Sequence, residues 1–306
     1  MHDTPIIFFV NHLEHACGVY QFFKRLVTPI VESSANNYYI ETNNEWEFDH
    51  WVNTLHPTII VYNFYFSGAT MPWLSNAKIE GLRPIKQFCL FHEGNIDTKG
   101  FDVILHQDPT NTDNRYYSLP RQIPEYTKVP IVNTKTTIGT FGFGLGGKGF
   151  TRVVETVNNE FDSAVIRMNI PFAHFGDING DGARWWANEC RKIVKSGIDL
   201  VITHDLLPES ELLDFLAQND INAFLYDENI GRGISGTLDY ALAVRKPIAI
   251  TKSEQFKHMW NEKHMIETNT LRGIILQGIE HLEEYHARWN KTALITRFNE
   301  IVKEVT

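Results

Sequence analysis

Short apolar runs alternate along this chain with stretches in which apolar residues recur every three or four positions. In the first half the runs predict strands at 6–11, 38–41, 58–65, 85–91 and 103–106. Between them the spacing predicts helices at 19–31, with Phe22, Phe23, Leu26 and Val27 on one side, at 45–55, and a poorer one near 72–81. Such a β-α-β-α-β rhythm implies a parallel sheet covered on both faces. The pattern lapses between Asp108 and Lys135, a polar stretch with four prolines, which places an interdomain connection around 120–136. The rhythm then restarts: strands at 137–141, 164–170, 199–203, 223–226 and 247–251, helices at 149–158, 183–196, 208–218 and 235–245, and a helical run over 280–305. There is no internal repeat and no low-complexity tract. The fold class expected is α/β, with two Rossmann-like domains over 1–125 and 136–306, the second carrying the C-terminal helix.

Composition narrows the function. The formal net charge of −9 over 306 residues argues against non-specific nucleic-acid binding, and no DNA binding is expected. The longest apolar run near the N-terminus, 5–10, is too short for a signal core or a membrane span. Three widely spaced cysteines, Cys17, Cys89 and Cys190, fit reduced thiols rather than a disulfide framework, so a cytoplasmic protein is expected.

The densest chemical signal is Gly142-Phe143-Gly144-Leu145-Gly146-Gly147-Lys148-Gly149, which joins an apolar strand to a helix opening at Phe150. Backbone N–H groups and one lysine at a helix N-terminus suit an anionic ligand. Gly142-x-Gly144-x-x-Gly147 matches a dinucleotide fingerprint, but the candidate carboxylate Asp162 precedes the next strand instead of ending it. Gly142-x4-Gly147-Lys148 matches a Walker A loop, but Gly149 stands where Ser or Thr would hold Mg²⁺. A tight strand–helix turn without a ligand also remains open. "GTFGFGLGGKGF" further resembles the start of the C-terminal domain of GT-B-fold glycosyltransferases, where a Gly-rich turn and a Lys face the donor diphosphate.

A second signature runs from Tyr226 to Ile248. An apolar strand ends in Asp227 and Glu228, a loop with Arg232 and Gly233 follows, and Ser235-Gly236-Thr237 opens a helix. Arg232 offers a forked donor suited to phosphate oxygens. "ISGTLDYALAVRKPIAI" resembles the donor-binding helix of GT-B transferases. Retaining GT-B families show two glutamates eight positions apart; here Arg232 and Tyr240 occupy those places. By resemblance, Asp239, Asp227 or Glu228 would then reach the ribose or the sugar.

In the first half, "CGVYQFFKRL", with Gly18, resembles the glycine loop and first helix of GT-B enzymes. His12 and His15 precede it, a weak metal pair or a surface loop. His92 and Glu93 close the fourth strand, where GT-B enzymes place a His or carboxylate toward the sugar; a His beside a Glu can act as general base. A satisfied strand-end histidine is the competing interpretation, and Asp108 is a weaker candidate. Asp177 to Gly182 matches half a calcium loop, with Asn188 at the twelfth position where Glu is needed; runs of Asp, Asn and Gly also make plain turns and helix N-caps.

The resemblance implies two domains facing across a cleft and a glycosyltransferase that takes a nucleotide-diphosphate sugar as co-substrate, without cofactor or metal. Lys148 and Arg232, with Gly144, Gly147, Gly149, Ser235, Gly236 and Thr237, would hold the diphosphate. His92, Glu93 or His12 would activate the acceptor. A GT-B-fold sugar-nucleotide epimerase and a non-catalytic nucleotide-sugar-binding protein are the alternatives. The donor nucleotide and sugar, the acceptor, the stereochemical outcome, peripheral membrane association and the oligomeric state stay open.

Overall fold

The computed structural model describes residues 5–64, 70–92, 100–128, 131–228 and 231–306. The chain divides into two compact units. The first holds the residues up to Gln122, together with Gly231–Ile234 and Arg288–Thr306; the second holds Ile123–Ile230 and Ser235–Ala287.

The first unit follows the order β1 (Ile7–Asn11), α1 (Gly18–Glu32), β2 (Asn37–Glu41), α2 (Glu45–Leu55), β3 (Ile59–Phe64), α3 (Asn76–Gly81), β4 (Lys86–Phe91), β5 (Val103–His106) and β6 (Tyr117–Ser118). All six strands are parallel, in the order β2-β1-β3-β4-β5-β6. Every residue of β1 is buried, which explains the apolar run of Ile7, Phe8, Phe9 and Val10. Ile7 and Phe9 pack on Phe22, Phe23, Leu26 and Val27 of α1, while Phe8 and Val10 pack on Phe48 and Val52 of α2.

The second unit continues with β7 (Thr137–Phe141), α4 (Phe150–Glu160), β8 (Ala164–Asn169), α5 (Asp181–Ile193), β9 (Ile198–Thr203), α6 (Glu209–Ala217), β10 (Ile221–Phe224), α7 (Thr237–Ala243), β11 (Ile248–Ile250) and α8 (Leu271–Gln277). Its five strands are parallel, in the order β11-β10-β7-β8-β9. Ile138, Ile166 and Met168 face Phe150, Val153 and Val157 of α4 and Leu271 and Ile274 of α8.

The C-terminal run is not one helix. It breaks into a 3₁₀ turn (Glu280–Leu282), α9 (Glu283–Arg288) and α10 (Lys291–Val305), with Asn290 capping α10 by accepting from the Ala293 N–H. Leu294, Phe298, Ile301 and Val302 of α10 bury their stripe in the α1 side of the first unit's core, not with residues 136–287 where the sequence pattern put it. Among the described residues, no helix is long and apolar enough to cross a membrane.

Candidate functional site

Strand order reverses between β1 and β3 in the first sheet and between β7 and β10 in the second. In open α/β sheets, ligands gather at the carboxyl ends of the strands flanking such a reversal. The glycine loop leaves β7 at that point. Gly142 N–H donates to the Asn169 carbonyl (3.1 Å) and Gly144 N–H to the Pro171 carbonyl (3.2 Å). Asp227 N–H, just beyond β10, donates to the Gly147 carbonyl at 3.0 Å, tying the two strand ends together. Gly149 opens α4 with φ +65°, and a Cβ there would stand 1.8 Å from the Leu225 carbonyl oxygen. Among the described residues no side chain caps α4, which leaves its first N–H groups without an intrahelical or capping partner there. The Lys148 ammonium lies 4.3 Å from the centroid of the Tyr226 ring.

The acids after β10 are not equivalent. Asp227 accepts from Arg152 Nη2 at 2.6 Å, whereas Glu228 is exposed. The Tyr226 carbonyl accepts from Arg152 Nη1 (3.0 Å) and from Thr251 Oγ1 (2.6 Å). Ser253 Oγ donates to the Asp227 carbonyl (3.0 Å), and two residues on the Gln255 carbonyl accepts from Ser235 N–H (2.9 Å). One segment thus ties Asp227 to the start of α7, where the Ser235 and Thr237 hydroxyls lie 3.0 Å apart and Gly236 is the N-cap. Asp239, in the first turn of α7, is fully buried.

The run from Asp177 to Gly182 is a helix cap. The Asp177 carboxylate accepts from Gly182 N–H (2.7 Å) and Ala183 N–H (2.9 Å), which satisfies orphan donors of α5. Asn188 lies within α5. Among the described residues, no group of three or more His, Cys, Asp or Glu is placed to hold a metal ion.

In the first unit the carboxyl ends of β1, β3 and β4 meet in a buried polar network. Asn63 Nδ2 donates to Asn11 Oδ1 (2.6 Å), which turns Asn63 Oδ1 toward His92 Nε2 at 2.6 Å. That Nε2 therefore carries the proton and Nδ1 is the basic nitrogen. Burial, followed by the positive potential of His12, Arg121 and His106, pushes the His92 pKa down to about 3. Its carbonyl accepts from Gln107 Nε2 (2.5 Å), and the Gln107 carbonyl accepts from the buried Arg121 (3.0 Å). Gly233 packs on the same carbonyl so closely that a Cβ would lie 1.8 Å from the oxygen; Arg232, its neighbour, is exposed.

His12 is buried as well, but in a different field. Its Nδ1 lies 2.7 Å from Glu14 Oε2 and 3.2 Å from Glu14 N–H. The two contacts compete for Nδ1; the shorter, charge-assisted one takes the proton, leaving Nε2 as the acceptor. Burial pushes the Glu14 carboxyl up, but hydrogen bonds from His12 and Asn43 outweigh it and its pKa is lowered. Nearby, Glu41 accepts from Tyr20 Oη (2.6 Å), Tyr39 Oη (2.9 Å) and Lys24 (3.0 Å), with His15 Nε2 at 3.1 Å. Gly18 begins α1 beside this network. Glu93, like Asn229 and Ile230 of the second signature, lies outside the described residues.

Several groups escaped the sequence pattern. Asn11 and Asn63 are polar residues in otherwise apolar buried strands, and that contrast could have marked them. Arg152 carried no local signal, and Tyr226 stood in the second signature only as the end of its apolar strand.

No protein-family model matches the sequence, and no curated protein matches it. Solved structures do match in fold. A glycosyltransferase from Rickettsia africae superposes with a TM-score of 0.68 at 11% identity, covering 99% of each chain. HepE of Anabaena, solved with UDP and glucose, gives 0.66 at 10% identity over 98% of this chain and 100% of its own. Sucrose-phosphate synthase of Thermosynechococcus elongatus gives 0.67 at 10% identity over 99% of both. The chain therefore has the GT-B fold, with two parallel α/β sheets like those of these glycosyltransferases.

Proposed function

We propose that this protein is a glycosyltransferase that moves a sugar from a nucleoside-diphosphate donor to an acceptor hydroxyl, with no metal needed at the diphosphate. The observation that carries the proposal is Lys148 on a glycine loop, beside an uncapped helix N-terminus, at the strand reversal of the second sheet. When the bond from the anomeric carbon to the diphosphate breaks, the bonding electrons leave with the phosphate oxygen. A lysine ammonium and backbone N–H groups are suited to that developing charge. The new bond forms from the acceptor oxygen, whose proton needs a base. His12 suits that task better than His92: Glu14 supports a charged imidazole at position 12, while burial in a positive field disfavours one at position 92. HepE binds UDP, which makes UDP-sugars the first donors to try. Initial rates with UDP-, GDP- and ADP-sugars over simple glycoside acceptors, in excess EDTA, test the proposal. Glycoside formation with release of nucleoside diphosphate is expected. Epimerised donor without transfer, or binding without turnover, would replace the proposal by an epimerase or a binding protein.

A further inference from the structure

Lys148 is one of the longest and most flexible side chains in the glycine loop, and a lone ammonium on such a chain is a poor fixed point for a phosphate. Here it is not left loose. Its nitrogen sits over the face of Tyr226, 4.3 Å from the ring centroid, within the range in which a cation is held by an aromatic quadrupole. The ring itself is fixed from several sides. Tyr226 is 1% exposed, Phe256 packs against it at 4.6 Å between centroids, and its carbonyl is held by Arg152 and Thr251. The adjoining peptides are bolted to the loop by the Asp227–Gly147 hydrogen bond and by the contact of Gly149 with Leu225. The Tyr226 hydroxyl is buried and makes no hydrogen bond among the described residues, so what this residue offers Lys148 is its ring face.

We propose that Tyr226 is the positioning residue for Lys148: its ring, and not its hydroxyl, holds the ammonium where the donor diphosphate is bound. The inference rests on the nucleoside-diphosphate reading of the loop, and it separates two neighbours in sequence. Tyr226 acts on the lysine, while Asp227 is engaged by Arg152.

The test combines a ligand-free and a ligand-bound readout on the full chain. In protein labelled with ¹³C at lysine Cε, the Lys148 signal should be shifted upfield by the ring current. Tyr226→Phe should keep that shift and Tyr226→Leu should lose it. By calorimetry with UDP, GDP and ADP, Tyr226→Phe should bind within about twofold of wild type, and Tyr226→Leu about three- to thirtyfold more weakly. In a Lys148→Ala background the Leu substitution should cost nothing further, because the lysine it acts through is gone. Equal losses from Tyr226→Leu with and without Lys148 would show a merely structural ring and overturn the proposal. A loss in Tyr226→Phe as large as in Tyr226→Leu would overturn it too, by giving the role to the hydroxyl. An unshifted Lys148 signal refutes the positioning itself. A wild type with the ring shift that binds none of the three nucleotides overturns the functional reading and the ligand half of this proposal with it.

Discussion

The glycine loop of the second unit and the strand-end network of the first unit occupy matching positions, the carboxyl ends of parallel strands at a reversal of strand order. They are built in opposite ways. The loop is contiguous in sequence and presents backbone N–H groups and one cation, so it is suited to bind charge that changes little in shape. The network is drawn from β1, β3 and β4, its side chains are buried, and each is oriented by another: Asn63 by Asn11, His92 by Asn63, His12 by Glu14. Such an arrangement is suited to set proton positions rather than to hold a large anion. Under the proposed function, the loop would suit the charge of a leaving diphosphate and the network the handling of a proton.

The largest expected effect breaks the proton half of that division. His12→Ala should lower turnover about 10²–10⁴-fold with little change in donor KM, as loss of a general base does. His92→Gln should cost far less; steady-state kinetics on the pair would reverse the assignment if His92 proved to be the essential one. Next comes Gly149→Ala, which forces an L side chain into a φ of +65° and against the Leu225 carbonyl. It should destabilise the fold by at least about 2 kcal/mol, read by denaturant unfolding. A variant as stable as wild type would mean that the loop is less tightly seated on β10 than its geometry implies.

A subtler effect comes from His92. Its folded pKa of about 3 lies below the ordinary value of about 6.5, so below that value the unfolded chain binds the extra proton. The stability this group contributes is complete above about pH 6.5 and is lost as pH falls toward 3. His92→Gln should flatten that acid slope in unfolding experiments between those limits, and an unchanged slope would place its cause elsewhere. The smallest effect is expected at Asp227. Its ion pair with Arg152 is about half exposed, so Asp227→Asn should cost less than about 1 kcal/mol in stability. A large loss of activity in that variant would instead return Asp227 to the sugar-binding role that the GT-B resemblance implies.

Much of the architecture was legible because parallel strands buried on both faces are written as plain apolar runs, as in residues 7–10. The edges were less so. Strand β10 was expected at 223–226 and lies at Ile221–Phe224, because Leu225 and Tyr226 remain apolar and buried past the last strand pairing. The short β6, the 3₁₀ helix Glu254–Met259 and α8 gave no clear periodicity. The C-terminal stretch was recognised as helical, but a stripe of apolar residues such as that of α10 does not say which core it will enter. At the candidate site, the glycine loop was visible because its chemistry is local. The Lys148–Tyr226 contact and the Asn11–Asn63–His92 chain were not, since each joins residues that only the sheet order brings together. The Asp177–Gly182 run stayed ambiguous for a related reason: Asp, Asn and Gly serve helix caps as readily as ion loops, and here they form the cap.

Glycosyl transfer as proposed requires that the loop around Lys148 hold a nucleoside diphosphate. Isothermal titration of UDP, GDP and ADP into wild type and Lys148→Ala, both in EDTA, tests it most directly. At least one of the three should bind wild type without added metal. Lys148→Ala should weaken that binding by about 1.5–3 kcal/mol, or roughly 10- to 150-fold, as expected for a lost charge-assisted contact. Equal affinity in the two proteins, or binding that appears only when Mg²⁺ or Mn²⁺ is restored, would contradict it.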